Sequence, residues 1–314
     1  GGAAANTGTL PSKTLRESAL YLSGFRQRDL YGMSFQLNES VSARDFLYRE
    51  RLVVQSERSR ISDNLNQHDV DIYRGFGTFL DDHTIKVTPK NGIPIKLEAD
   101  VILIATGSHP FQPPMFPFYD SRVYDSDTIL HINDIPGSML IAGGGVIGCE
   151  YACMFAALGI RVHLVEGRNQ LLSFMDLELS DGLTKCLRRM NIDLHLSTEI
   201  EQVKAGEHIT IQLNTGEVVE VETLLAATGR NGNTKNMGLE DIGLEPGSRG
   251  HLQVNDLYQT NLSHIYAVGD VIGFPALAST AMEQARIAMV HAFNLKYKTE
   301  LATILPYGIY TIPE

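Results

Sequence analysis

The chain has 314 residues, a length that favours two domains over one, and 43% of them are hydrophobic, enough for a sizeable core. It carries 26 basic and 37 acidic side chains, and this net charge of −11 argues against a nucleic-acid-binding surface. No apolar run reaches the roughly 18 residues of a membrane span, and three cysteines without a CxxC fit a reducing cytoplasm rather than a disulfide framework.

The sequence pattern in the first third of the chain predicts helices followed by short strands. Pro11 is tolerated in a first helical turn, and apolar residues then recur at helical spacing as far as Phe25. Ser42 precedes a long charged helix over about 43–67. Strands are predicted at 70–73, 78–80, 84–87 and near 93–97. The continuous apolar run at 101–105 predicts a strand buried on both faces.

The second part of the chain alternates strands and helices. Residues 110–117 are rich in proline and predict a linker. A hairpin is predicted with arms 208–213 and 218–225. The other predicted elements are strands at 138–142, 161–166, 192–196 and 260–270, and helices at 146–158 and 276–294. This alternation predicts an α/β fold with a parallel sheet.

A glycine-rich turn lies between the predicted strand 138–142 and the next helix. In Gly143-x-Gly145-x-x-Gly148 the first glycine allows a tight turn, the second admits a pyrophosphate to the backbone, and the third lets helix and strand pack closely. The helix start then offers free N–H groups and a positive dipole end. Alone the motif is weak, but together with its strand and helix it predicts a dinucleotide site.

Glu166 strengthens that prediction, because it ends the next strand 18 positions after Gly148. An acid there accepts hydrogen bonds from an adenosine ribose, whereas glycines used for packing alone would not account for it. A carboxylate welcomes a 2′-OH and repels a 2′-phosphate, which favours NAD. Arg168 could pair with a phosphate or be a solvated surface charge, so NADP stays open.

Five segments, in order along essentially the whole chain, resemble those of the pyridine nucleotide-disulfide oxidoreductase family. They correspond to the family's redox-cysteine segment, the exit from its FAD domain, the exit from its NAD(P) domain, its second flavin motif and the opening of its dimer-interface domain. In this chain they are residues 1–13, 105–110, 227–230, 266–270 and 310–314.

The resemblance implies a glutathione-reductase-like fold of two Rossmann-like domains, one inserted in the other. The FAD-binding domain would comprise 1–121 and 246–294, the NAD(P)-binding domain 122–245, and the start of the interface domain 295–314. The family's first GxGxxG would precede Gly1, and the rest of the interface domain would follow Glu314. We therefore expect a longer natural protein that forms homo-oligomers.

The redox-cysteine segment departs from the family pattern. Ala4 and Thr9 stand where the family's reductases have cysteines, which excludes disulfide reduction by that route. Residues 124–130, 148–152, 229–234 and 269–273 resemble the family's FAD-containing pyridine nucleotide transhydrogenases. This resemblance implies Si-specific hydride transfer between NADPH and NAD⁺ through FAD, with small-molecule nucleotides as partners and no nucleic acid or membrane.

The resemblance also implies site residues. Lys13 and Glu150 would form a catalytic pair beside the flavin, although the residues alone favour a surface lysine and a solvated first-turn glutamate. Asp270 would bind the flavin ribityl chain; the alternative role is an N-cap for a following turn. The implied FAD contacts are Thr106, Gly107, Gly269, Asp270 and Ala278. The implied pyridine nucleotide contacts are Gly143, Gly145, Val146, Ile147, Gly148, Glu166, Gly229 and Arg230; no metal is implied.

Two other functions remain open from the sequence. One is another thiol-less flavoprotein that oxidises NAD(P)H, such as a diaphorase or an oxidase. The other is a non-catalytic remnant that binds nucleotide through residues 143–166 and holds no flavin. Cys149 and Cys153, spaced i,i+4 on one predicted helix, are interpreted as core residues.

Overall fold

The computed structural model describes residues 2–24 and 41–313, so Gly1, Phe25 and Glu314 lie outside the described residues. The N-terminal part is helical, with α1 at Gly2–Asn6, α2 at Thr9–Ser23 and α3 at Ala43–Gln67. Ser42 accepts the N–H of Asp45, whose carboxylate accepts the N–H of Ser42; this capping box explains why α3 begins where predicted. Helices α2 and α3 pack against each other.

A three-stranded antiparallel sheet follows, formed by β1 at Phe76–Phe79, β2 at Thr84–Thr88 and β3 at Ile95–Glu98. The prediction of a strand at 70–73 is wrong. Val70, Ile72 and Tyr73 remain 44–47% exposed, because within the described ranges no strand pairs with them. Local β-propensity without a partner strand does not make a strand.

Strand β4 spans Ile102–Ile104 and ends just before Thr106 and Gly107, two of the predicted FAD contacts. It pairs in parallel with a late strand, Ile265–Ala267. The predicted burial on both faces is wrong, since only Ile104 is buried among residues 101–105. The reason is that this strand has a single hydrogen-bonded neighbour in the described part of the chain. Strand β5 at Ser108–Pro110 runs antiparallel to Arg230–Gly232.

The centre of the molecule is a five-stranded parallel sheet, which confirms the predicted α/β fold. Its middle strand, β7 at Ser138–Ala142, is buried throughout and leads into α4 at Val146–Ala157. Helix α5 at Leu177–Arg189, which the sequence analysis missed, connects β8 to β9. In spatial order the strands are β6 at Val123–Asp125, β13 at Thr223–Ala226, β7, β8 at Arg161–Glu166 and β9 at Asp193–Leu196.

The predicted hairpin is part of a three-stranded antiparallel sheet of β10 at Ile200–Ala205, β11 at Ile209–Leu213 and β12 at Val218–Val221. The prediction of one arm over 218–225 is wrong, because the chain leaves the hairpin at Glu222. There the Glu222 N–H donates to Ser138 Oγ, and its carboxylate accepts the Gly137 N–H. These bonds direct the chain into β13 of the parallel sheet.

The remaining elements are β14 at Arg230–Gly232, β15 at Ile265–Ala267, a 3₁₀ turn at Gly269–Ile272 and α6 at Ala278–Ala292. The strand predicted over 260–270 is thus limited to its apolar centre, and Asp270 lies in the 3₁₀ turn. Among the helices described, none combines the length and the apolar content that crossing a bilayer requires.

Candidate functional site

The glycine turn joins β7 to α4, and the space available to a Cβ differs among Gly143, Gly145 and Gly148. Gly143 has φ +110°, and a Cβ there would lie 2.5 Å from the Ala227 carbonyl oxygen. A Cβ on Gly148 would lie 1.8 Å from the carbonyl oxygen of Gly143, so both glycines are needed for packing. A Cβ on Gly145 would meet no atom within 4 Å. The backbone at Gly145, the N-cap of α4, therefore faces open space, where an anion could approach the N–H groups of Val146 and Ile147.

Glu166 is buried beside this turn. One carboxylate oxygen accepts the Gly144 N–H at 2.7 Å, and the other accepts the Arg168 N–H at 2.9 Å. The turn therefore uses the carboxylate for its own structure, and the expectation that packing alone would not account for Glu166 is wrong. Each carboxylate oxygen has a second lone pair, so a ribose hydroxyl can still bind. The Arg168 side chain is 69% exposed, with its Nη1 3.8 Å from Glu166.

Lys13 of α2 and Glu150 of α4 lie together although 137 positions separate them. Lys13 Nζ donates to both Glu150 carboxylate oxygens, at 2.6 and 2.8 Å. The Glu150 side chain is 5% exposed and that of Lys13 is 29% exposed. The pair thus has one buried member and one that reaches solvent; its assignment as catalytic remains a prediction.

The C-terminal segment covers this pair. The backbone N–H of Tyr310 donates to Glu150 Oε1 at 2.9 Å, and Lys13 Nζ lies 4.9 Å from the centre of the Tyr310 ring. Arg16 Nε donates to the Thr311 carbonyl oxygen at 3.0 Å. Glu150 therefore accepts three hydrogen bonds, which compensates the burial of its charge. The sequence analysis gave Tyr310 no role at this pair.

The predicted flavin side lies at the end of β4. Gly107 has φ +71°, and a Cβ there would meet no atom within 4 Å. Thr106 is exposed, and its carbonyl oxygen accepts from the Asn233 side chain at 2.9 Å. The Asn233 N–H donates to the Gly107 carbonyl oxygen, also at 2.9 Å. Asn233 thus fixes a loop whose open side could receive a ligand.

Asp270 and the start of α6 follow β15. The Gly269 N–H donates to the buried Gln284 side chain at 2.8 Å. Asp270 Oδ2 accepts the hydroxyl of Ser108 at 2.8 Å. Ala278 is the first residue of α6, so its N–H is one of the free donors of that helix terminus. Gly269 and Asp270 therefore lie close to the end of β4, as the parallel pairing of β4 and β15 requires.

Arg230 lies between Ser108 and the residues that follow β6. Its Nε and Nη2 donate to Ser108 Oγ and to the Ser108 carbonyl oxygen, at 2.8 and 2.9 Å. Its Nη1 donates to Ser126 Oγ at 3.2 Å and to Asp127 Oδ1 at 3.0 Å. The carbonyl oxygen of neighbouring Gly229 accepts the Phe111 N–H. Protein atoms thus occupy most of the five N–H donors of Arg230, which was predicted to contact the pyridine nucleotide.

The thiols belong to the core, as predicted. Cys149 and Cys153 on α4 are fully buried, and burial raises the pKa of both, that of Cys153 to about 12. All three cysteines are free. Neither buried thiol forms a reactive thiolate at neutral pH.

One cluster within the described residues, Asp82, His83 and His264, could supply three metal ligands. However, Nδ1 of His83 and Nε2 of His264 each lie 2.8 Å from a carbonyl oxygen and must therefore carry protons. The two rings stack in parallel at 3.9 Å, so their remaining lone pairs cannot converge on one ion. The stack is explained by these contacts alone.

Comparison with known proteins agrees with this architecture. The family model described as pyridine nucleotide-disulphide oxidoreductase matches residues 1–285. A protein named soluble pyridine nucleotide transhydrogenase from Mycobacterium bovis (strain BCG / Pasteur 1173P2) is 43% identical over 100% of this chain and 67% of its own length. One of the same name from Yersinia pestis (strain Pestoides F) is 41% identical with the same coverage. The chain thus spans about two thirds of these relatives.

Two solved structures are similar over nearly the whole chain. LpdA from Mycobacterium tuberculosis has a TM-score of 0.90 at 27% identity, covering 99% of this chain and 68% of its own. The HOCl-induced flavoprotein disulfide reductase RclA from Escherichia coli has a TM-score of 0.85 at 26% identity, covering 100% and 68%. The second of these is a flavoprotein by its name.

Proposed function

The chain belongs to the pyridine nucleotide-disulphide oxidoreductase family, and on this premise we propose that it is an FAD-dependent transhydrogenase that transfers hydride between NADPH and NAD⁺. The proposal rests on two features of residues 1–13, the segment that resembles the family's redox-cysteine segment. Residues 4 and 9 are alanine and threonine, so no dithiol can form there, while Lys13 a few positions later is paired with Glu150. This suits hydride transfer without a sulfur relay.

The residues present fit a flavin at two points. The open side of Gly107 leaves room for a ligand against the backbone, since a Cβ there would meet nothing within 4 Å. Asp270 uses one carboxylate oxygen for Ser108, and in the described residues its Oδ1 accepts no hydrogen bond and is available to a ribityl hydroxyl. When bound, FAD supplies the two-electron chemistry, accepting hydride from one nucleotide and giving it to another. Thr106, Gly269 and Ala278 complete the set that we assign to it.

The glycine turn would bind the pyridine nucleotide. The N–H groups of Val146 and Ile147 and the dipole of α4 attract the pyrophosphate, which can approach because Gly145 has no side chain. Glu166 would orient the adenosine ribose through its remaining lone pairs. We assign Gly143 and Gly148 to the shape of the turn, and Gly229 to the side of the nicotinamide.

The pair of Lys13 and Glu150 would hold a cation at the reacting end. Glu150 is buried and fixed by Tyr310, so it can set the position of the Lys13 ammonium group. A positioned cation stabilises negative charge that develops on a neighbouring group during hydride transfer. This is the catalytic role that we propose for the pair.

We extend the proposal to the stereochemistry of transfer, the domain bounds, the oligomeric state and the cellular location. We propose Si-specific transfer on the strength of the family likeness, testable with stereospecifically deuterated NADPH. We also propose domains at 1–121 with 246–294, at 122–245 and from 295, and homo-oligomers of the full-length protein. A cytoplasmic location is supported by three free thiols, two of them buried.

Steady-state assays test the function. Full-length protein is mixed with NADPH and thio-NAD⁺, and separately with NADPH and oxygen or quinones. The proposal predicts rapid thio-NAD⁺ reduction and slow turnover with the other acceptors. The reverse order would favour a diaphorase or oxidase. A protein that binds NADH but retains no flavin would favour a non-catalytic remnant.

A further inference from the structure

A hydrogen-bonded chain connects Asp270 to the parallel sheet. It runs from Asp127 to Arg230 at 3.0 Å, from Arg230 to Ser108 at 2.8 Å, and from Ser108 to Asp270 at 2.8 Å. Asp127 follows β6, Arg230 begins β14, Ser108 begins β5 and Asp270 follows β15. Four separate segments of the chain thus meet in one line of side chains.

The direction of each bond follows from its chemistry. Arg230 Nε carries a proton and can only donate, so the Ser108 oxygen must accept from it. The single proton of the Ser108 hydroxyl is then free to point at Asp270 Oδ2, which can only accept when ionised. Donation from a guanidinium also polarises the hydroxyl and strengthens its bond to the carboxylate.

Arg230 itself is held firmly. Its side chain is 20% exposed, and its second bond to Ser108 goes to the backbone carbonyl at 2.9 Å. The pairing of Arg230 with Pro110 and of Gly232 with Ser108 fixes the two strands against each other. The Ser108 hydroxyl is therefore positioned by strand pairing and by a forked arginine, not by its own rotamer alone.

We propose that Ser108 and Arg230 are positioning residues that orient the Asp270 carboxylate for the flavin and couple it to the parallel sheet. The inference rests on the proposed function, since it takes FAD as the ligand of Asp270. With Oδ2 held by Ser108, Oδ1 is presented in one direction to a ribityl hydroxyl. Arg230 thus acts through Ser108 rather than on a nucleotide directly.

FAD binding to the full-length apoprotein tests this, measured by quenching of flavin fluorescence. Ser108→Ala removes both bonds of the hydroxyl and is expected to raise the FAD dissociation constant roughly tenfold. Ser108→Thr keeps the hydroxyl and is expected to stay within about threefold of wild type. Arg230→Lys keeps the charge but loses the fork, with an expected rise of roughly threefold to tenfold.

A double-mutant cycle separates positioning from a general structural role. If Ser108 acts through Asp270, the variant S108A/D270N binds FAD no more weakly than Asp270→Asn alone. Ser263→Ala and Arg189→Lys change exposed side chains of the same types and serve as matched controls with wild-type affinity. Circular dichroism checks the fold, and if Ser108→Ala does not fold, Arg230→Lys against Arg189→Lys carries the comparison.

The results that would overturn this inference differ from those that would overturn the proposed function. Additive losses in the cycle, or wild-type affinity in both Ser108→Ala and Arg230→Lys, would overturn the inference and leave the proposed function standing. Wild-type protein that binds FAD but passes no hydride to NAD⁺ would overturn the proposed function, while the affinities still decide the role of Ser108. Wild-type protein that binds no FAD would overturn both.

Discussion

Lys13 and Glu150 form an ion pair between α2 and α4. From local sequence the two would be a surface lysine and a solvated glutamate. The fold brings them within 2.6 Å, with the Glu150 side chain only 5% exposed. A buried carboxylate keeps its charge at low cost only when donors surround it. Here those donors come from α2 and from the segment at Tyr310, which no local pattern could reveal.

Replacing Lys13 should therefore destabilise the fold as well as slow hydride transfer. Lys13→Met leaves Glu150 with the Tyr310 N–H as its remaining partner, so the free energy of unfolding should fall by roughly 1–3 kcal/mol. Urea unfolding measures this loss. Glu57→Gln, in a solvent-accessible pair with Arg60, is the control and should lower the free energy of unfolding by less than Lys13→Met does. Equal stability of both variants would contradict the account of the pair.

A second residue-scale feature is the contact between His163 and His195 on neighbouring strands of the parallel sheet. Nδ1 of His163 lies 3.3 Å from Nε2 of His195. Burial lowers the pKa of His163, His195 and Arg161 lower it further, and Asp193 and Glu217 oppose this without cancelling it. The folded protein therefore binds a proton at His163 less readily than the unfolded chain does.

This lowered pKa predicts the sign of a pH effect. Below about pH 6.5 the unfolded chain binds the extra proton, so stability falls as the pH drops towards the lower folded pKa. His163→Gln should reduce the loss of unfolding free energy between about pH 7.5 and about pH 5. A steeper acid loss in His163→Gln than in wild type would refute this reading.

At the scale of elements, the glycine turn offers a matched pair of substitutions. Gly148→Ala puts a methyl 1.8 Å from the Gly143 carbonyl oxygen, so the backbone must shift at a cost of at least about 1–3 kcal/mol. Gly145→Ala meets nothing within 4 Å, so the fold should persist. Its methyl would instead occupy the space predicted for the pyrophosphate and weaken NADH binding roughly tenfold or more.

Thermal unfolding and NADH titration of the two variants measure these effects. A Gly145→Ala protein with wild-type stability and wild-type NADH affinity would show that the pyrophosphate does not bind over this turn. A stable Gly148→Ala protein would show that the close contact between turn and helix can relax.

The elements also show what the sequence could predict. Strand β7, the glycine turn, α4 and β8 were predicted closely, because they follow one another in the chain and the apolar strands and the glycine motif between them are local signals. Residues 70–73 have strand-like composition but no partner, and the boundary at Glu222 depends on Ser138 and Gly137 of another strand. Helix α5 was missed although Asp176 caps its first turn, a signal that was readable in advance.

At the scale of the whole molecule, the motifs correctly predicted the family and the α/β fold. The resemblance also implied the pairing of Lys13 with Glu150, which the fold brings together, but it did not imply contacts such as Arg230 with Asp127, 103 positions apart. The predicted domain bounds and site roles remain proposals. Since Arg230 uses most of its donors on protein atoms, its most direct role lies in joining the parallel sheet to the segment that contains Ser108.

In the proposed function, hydride passes from one nucleotide to another through a bound flavin without any thiol. Anaerobic single-turnover absorbance on full-length protein measures this transfer. NADPH should bleach the visible flavin band, and NAD⁺ added afterwards should restore it with stoichiometric formation of NADH, even after the solvent-accessible thiols have been alkylated. A flavin band that NADPH leaves unchanged, or a bleached band that NAD⁺ does not restore, would contradict the account.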